Sequence, residues 1–293
     1  MTDLLLPAEI DAETGGSPPR GPSSSRRRRP TPSLVLAGLV LLTVAGWAAF
    51  PSLFTSHDPL FGDSAIRLLP PSVEHLFGTD QLGRDAFARF VHGTRASLHA
   101  TAIAVAVAAG GGVLLGLAAG FAGGVVDAVI SRLLEVLHAI PGLLLSLTLI
   151  AALGFGTGKI GLAVGVAGIP SFARVMRAEV MRVRTSLYVE AARTAGARTP
   201  ALLTDHVLPH AIGPVAALAV LEIASAVLAV SALSFPGFGS PPPAPEWGAL
   251  VAEGRDYLAS AWWLTILPGL AVALVVVCAN RVARGIDRHG RNP

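Results

Sequence analysis

Six stretches of the chain are apolar almost without interruption: residues 34–54, 97–121, 128–153, 160–176, 211–234 and 260–283. Each comes near the roughly 20 residues that a helix needs to cross a hydrocarbon layer about 30 Å thick. Helices are predicted rather than strands, because a helix satisfies every backbone polar group within its own segment when no water is at hand. The pattern therefore predicts an all-α membrane protein with six transmembrane helices, the first at 34–54 and a five-helix core over 97–283. The connections are unequal: a long segment at 55–96, a short Gly-bearing link at 154–159, a Pro-rich loop at 235–259, and a polar stretch at 177–210 that exceeds an ordinary turn.

Composition supports this reading. Of the 293 residues, 52% are hydrophobic and only 14% charged, with a mean hydropathy of +0.62, against roughly 25% charged in soluble domains. Such a chain could not wet its own surface, and its length leaves little for a separate soluble domain. Residues 1–33 mix Pro, Gly and Ser and end in Arg26, Arg27, Arg28 and Arg29, a composition that cannot bury a core and predicts a disordered basic tail. No clear small-residue cleavage site follows the first apolar run, so that run is expected to stay as an uncleaved span.

Six spans put both termini on one side, together with Arg177, Arg182, Arg184, Arg193, Arg198 and the arginines of the 284–293 tail. The excess of positive charge in cytoplasmic loops assigns that side to the cytoplasm. The net charge of +3 does not point to nucleic acid, since the arginines flank apolar runs instead of alternating with aromatics. Cys278 has no intrachain partner and reads as a small buried hydrophobe.

Asp127, Arg132, Glu135 and Glu222 fall inside apolar runs, where desolvation directs them toward protein or water; pairing between helices and lining of a solute path both fit. Gly110, Gly111, Gly112, Gly116, Gly120, Gly123 and Gly124 give the second run a surface on which another backbone can lie close. Asp80, Arg84 and Asp85 read as ion pairs around a helix cap at Thr79–Asp80. His75, His92 and His99 lack a ligand spacing, and no nucleophile and base converge, so neither a metal site nor a catalytic site is expected. The loop with Pro241, Pro242, Pro243 and Pro245 should be stiff and extended, with Trp247 near the membrane interface. Rigid packing and contact with an incoming solute or its carrier both fit it.

The stretch 177–210 is more structured than a linker. Its centre, SLYVEAARTAGARTPALLTDHVLPH, predicts a helix from Tyr188 to Thr194, a break at Gly196 and a second short helix from about Pro200 to His206. Ala191 and Ala192 leave a shallow face for another protein, while Glu190 and Arg193 can fix its rotation. Gly196 can take the left-handed conformation that ends a helix, and Pro209 restricts the turn into the next span. This is a surface for docking.

Here the chain resembles the integral membrane subunits of binding-protein-dependent ABC importers, whose EAA loop is matched by Glu190, Ala191, Ala192 and Gly196, with Leu208 and Pro209 following at the family's distance. Four further stretches narrow the likeness to the second permease of the dipeptide, oligopeptide and nickel group. They are HLFGTDQLGRDAFARFVHGTRASL at 75–98, AGFAGGVVDAVISRLLEVLHAIPGLLLSL at 119–147, ALSFPGFGSPPPAPEWGALV at 232–251 and AWWLTILPGLAVAL at 261–274. Pro236, Val230, Ile169, Phe172, Asp205 and His210 depart from the residues usual in that group.

The resemblance implies a cytoplasmic coupling helix, with Tyr188, Glu190, Ala191, Ala192, Arg193, Gly196, Ala197, His206, Leu208 and Pro209 receiving movement from an ATPase. It implies a homologous second permease subunit, two ATPase subunits that carry ATP and Mg, and an external substrate-binding protein, at the bacterial inner membrane. Glu222, Ser234, Phe235, Gly237 and Trp247 are the candidates for the translocation path or external loop. The implied solute is a di- or oligopeptide, with nickel or another small solute as the alternative within the group. An ion-coupled secondary transporter or channel, working without an ATPase through Glu135 and Glu222, is the alternative outside it.

Overall fold

A computed structural model describes residues 32–290, with side chains described through residue 285. The expected basic tail lies outside the described residues as far as Thr31, and so do residues 291–293. Ten helices follow in order: α1 (Pro32–Ala49), α2 (Ala86–Ala122), α3 (Gly124–Ala139), α4 (Gly142–Leu153), α5 (Thr157–Arg184), α6 (Leu187–Thr194), α7 (Thr199–Ala201), α8 (Leu208–Leu233), α9 (Trp247–Arg255) and α10 (Trp263–Gly290). Among the described residues the only bridge of strand type joins Thr79 and Asp85. Helices α1, α2, α5, α10 and the run containing α8 are each long and apolar enough to cross a membrane.

The run at 128–153 behaves differently from a straight span. Helices α3 and α4 divide it and meet at 93°. Pro141 supplies the break: a residue preceding proline is driven out of the helical region, and Ile140 is extended at φ −83°, ψ 127°. If the bent pair counts as one crossing, the total is six.

Helix α2 begins at Ala86, well before the apolar run at 97. Asp85 caps it by accepting from the Ala88 N–H at 2.6 Å, so the cap is Asp85 rather than Thr79–Asp80. The first turns carry Arg89, His92 and Arg95 and therefore read as polar. With 37 residues, α2 is about 55 Å long, far more than the hydrocarbon layer requires.

Helices α2 and α5 run side by side, and glycine sets their separation. A Cβ on Gly116 would lie 2.7 Å from Met176 Cβ, and one on Gly120 would lie 2.9 Å from the Arg177 carbonyl. Gly123 and Gly124, at φ 66° and 55°, turn the chain from α2 into α3. Where α5 runs out, Phe172, Met176, Val180 and Val183 form a core with Val189, Leu202, Val207, Ala211 and Val215. This is the knuckle end of the bundle. Phe172, one of the departures from the usual group, is buried in that core, and Val230 is buried beside Ile150 and Ile160.

At the opposite, cap end, Arg89 is buried and ties together three segments. It donates to the carbonyls of Pro59 and Pro243 at 3.2 and 3.4 Å and to both oxygens of Glu253 at 3.2 and 3.1 Å. Arg84 Nε donates to Asp80 Oδ2 at 2.6 Å, and His75 Nδ1 meets Asp85 Oδ2 at 2.8 Å. The loop at 235–259 is not extended throughout, since α9 occupies its second half. Trp247 is fully buried, stacked on Phe90 at 5.3 Å between ring centroids, instead of standing at the lipid interface. At the C-terminus the expected tail from 284 continues as helix to Gly290.

Candidate functional site

The polar stretch at the knuckle end begins inside a helix, because α5 continues to Arg184. Three residues later α6 starts, fixed to the body of the protein by Val189, which is fully buried in the core cluster. Burying such a side chain contributes about 1.5–3 kcal/mol, enough to hold a helix of two turns in one orientation. Leu187, Tyr188, Glu190, Ala191 and Arg193 are thereby left exposed. Ala192 is half-buried and packs inward against the core, so Ala191 and Ala192 do not share one open face as expected.

Gly196 closes α6 with φ 85°. Its N–H donates to the Arg193 carbonyl, and that of Ala197 donates to the Ala192 carbonyl, both at 3.1 Å. This is the Schellman arrangement, completed by an apolar contact between the residues at its two ends; Ala192 and Ala197 both pack on the same core. The left-handed glycine therefore fixes how the chain leaves α6.

The second knuckle helix is not a separate piece. Residues Thr199–Ala201 pass through a π-helical turn, Leu202–Val207, directly into α8. Pro209 is the second residue of α8 and directly follows the π-helical turn, inside the continuous run instead of at a turn into the span; having no N–H, it leaves one rung of the helical ladder unmade there. The Tyr188 ring lies 5.1 Å from His206 and 5.5 Å from His210, joining α6 to this run. His210 Nδ1 meets the His206 carbonyl at 2.8 Å. Leu208 is half-buried on the core, while Gly196 and Pro209 are exposed.

The other candidate residues do not form one site. Ser234 and Trp247 are buried at the cap end, where the Trp247 N–H donates to Ser97 Oγ at 3.1 Å and its indole N–H to the Phe90 carbonyl at 3.2 Å. Phe235 lies under Arg255 at 5.9 Å, and Gly237 is exposed at φ 94°. Glu222 is 12 residues before Ser234 on the same helical run, about 18 Å along it. It is half-buried and has no hydrogen bond or ion pair among the described residues. Beside the knuckle end, an apolar groove of about 500 Å³ separates Val113 and Leu114 of α2 from Ile212 and Ala219 of α8.

Sequence reasoning missed Val189, Arg177 and Arg184 as structural parts of the knuckle. Arg177 and Arg184 were legible only as topology charges, although their positions near the end of a long helix were a signal. Arg132 and Glu135 pair with each other at 3.2 Å on the exposed side of α3, and Asp127 pairs with Arg177. The exposed groups of the knuckle suit contact with another protein.

Comparison with known proteins agrees with this geometry. Residues 112–292 match the family described as the inner membrane component of binding-protein-dependent transport systems. A probable D,D-dipeptide transport system permease of Escherichia coli strain K12 is 38% identical over 87% of this chain and 86% of its own length. A di/tripeptide transport system permease of Pseudomonas aeruginosa is 38% identical over 86% of this chain and 85% of its own. Among solved structures, an amino acid ABC transporter crystallised with histidines superposes with a TM-score of 0.54 at 16% identity, over 69% of this chain and 94% of that one, which is a likeness of fold. A bundle crossed by five long apolar helices and one bent pair, with a family model matching from the middle of α2 to the end of α10, leaves one assignment: the chain is a multi-pass membrane protein of the binding-protein-dependent transport system inner membrane component family.

Proposed function

We propose that this chain is one half of the membrane channel of an ATP-driven peptide importer, with its knuckle end in the cytoplasm. A homologous permease subunit completes the channel, two ATPase subunits hold ATP and Mg, and an external binding protein delivers the solute at the cap end. The chain itself is a non-catalytic transport subunit. The observation that carries the reading is α6: Val189 and the Gly196 closure hold it rigidly, while Leu187, Tyr188, Glu190, Ala191 and Arg193 are offered to a partner. Closure of the ATPase pair would displace this helix and shift the spans between inward-open and outward-open arrangements. Peptides are the favoured solute because the named relatives are peptide permeases.

The test is pull-down of the ATPase and measurement of uptake with Glu190→Arg and Gly196→Trp. Both variants should insert normally, and each should lose ATPase docking or ATP-driven uptake. Wild-type uptake in both variants would refute the placement, and solute movement by this chain alone under an ion gradient would refute ATP coupling. Mass spectrometry of the ligand carried by the cognate binding protein identifies the solute.

A further inference from the structure

The last turns of α5 carry two arginines that the exposed docking surface does not use. Arg177 grips Asp127, in the first turn of α3, through two bonds: Nε to Oδ1 at 2.5 Å and Nη2 to Oδ2 at 2.7 Å. Ser131 adds a bond to the same carboxylate at 3.1 Å. Arg184, the final residue of α5, sends Nη1 to the carbonyls of Gly120 and Phe121 at 2.7 and 3.1 Å. Those carbonyls belong to the last turn of α2, where no helical N–H remains to meet them, and a cation is favoured at that end of a helix dipole.

These contacts differ in kind from the apolar packing around them. A forked guanidinium fixes the rotation of its partner as well as its distance. Next to these contacts, Gly116 and Gly120 bring the α2 backbone so close to α5, at Ala173, Met176, Arg177 and Val180, that a methyl group would not fit. Leu187 opens α6 only three residues beyond Arg184. The corner at which α6 leaves the bundle is therefore bolted to α2 and α3, and α2 continues to the cap end, where Gly93 lies against the Glu246 backbone.

We infer that Arg177 and Arg184 are positioning residues of the transport cycle, making α2, the start of α3 and α5 one lever that carries a displacement of α6 to the cap end. The inference rests on the docking role proposed above for α6. Without the two contacts, the same displacement is absorbed at the corner between α5 and α6, and ATP is spent without movement of solute.

The test uses the complete importer, reconstituted with its permease partner, ATPases and binding protein. Asp127→Arg and Arg177→Asp should each copurify with the ATPases, yet lower solute moved per ATP by about ten-fold; the double swap should restore it. Wild-type stoichiometry in the single variants, or no recovery in the swap, overturns the inference. Loss of copurification in the single variants also overturns it, by placing these residues in the docking surface. Glu190→Arg serves as the control: if it uncouples and the Asp127 and Arg177 variants do not, only the lever fails, whereas if it too is silent, the docking reading fails. A second measurement keeps both arginines. Spin labels at Val125→Cys on α3 and Arg182→Cys on α5, both exposed positions, should keep one separation across nucleotide-free, ATP-bound and post-hydrolysis states. A separation that changes between those states overturns the lever.

Discussion

Glu246 is fully buried at the entrance to α9, outside the spans, and one of its carboxylate oxygens, Oε1, has no hydrogen-bond partner. The other accepts from the Ser240 N–H at 3.3 Å. Burial pushes this carboxyl above the ordinary glutamate range, partly offset by the Ser234 hydroxyl and the Ser240 amide. The charged groups on neighbouring elements give no relief: Arg89 of α2 is held by Glu253 of α9, Arg255 pairs with Asp256, and none of them, nor Lys159 of α5, forms an ion pair with Glu246. A raised carboxyl favours the fold while it is neutral. Its contribution is complete below the unfolded value and is lost as pH rises through the folded one. Protease resistance of the 239–246 loop should therefore fall with increasing pH in the wild type, and Glu246→Gln should make it independent of pH. A wild-type profile that is already flat would refute this. None of this was legible in the sequence, where Glu246 stood in a proline-rich stretch beside a tryptophan; burial of a charge depends on what folds over it.

At the scale of elements, the apolar runs located the spans because uninterrupted apolarity needs no knowledge of neighbours. Helix ends were less legible. The first turns of α2 and the last turns of α5 carry arginines that tertiary contacts satisfy, and a hydropathy reading cuts such turns off. The π-helical turn that joins the second knuckle helix to α8 also leaves no local sequence mark. Glycine was the better guide, since Gly116 and Gly120 did announce a close approach. Enlarging Gly116 to leucine should force α2 and α5 apart at Ala173 and Met176, at a cost of about 1–3 kcal/mol. Thermal unfolding in detergent should record a lowered midpoint, and an unchanged midpoint would mean that the helices are less tightly held than the distances indicate.

For the whole molecule, one side chain fastens several parts of the cap end to one another. Arg89 joins the segment before α2, the proline loop and α9, and sits at 1% exposure. Arg89→Ala leaves the Pro59 and Pro243 carbonyls without that donor and leaves half-buried Glu253 with Arg84 alone, 3.6 Å away, a change worth about 1–3 kcal/mol. Limited proteolysis should then cut residues 55–85 sooner than in the wild type, while equal cutting rates would show that the cap has other fastenings. At the knuckle end the helical run from Thr199 to the end of α8 is continuous, through a π-helical turn and past Pro209 and Pro214. In the function proposed above, the surface offered to the ATPase is partly the prolonged tip of a membrane helix, so a tilt of that seat passes into the span along one continuous run of helix.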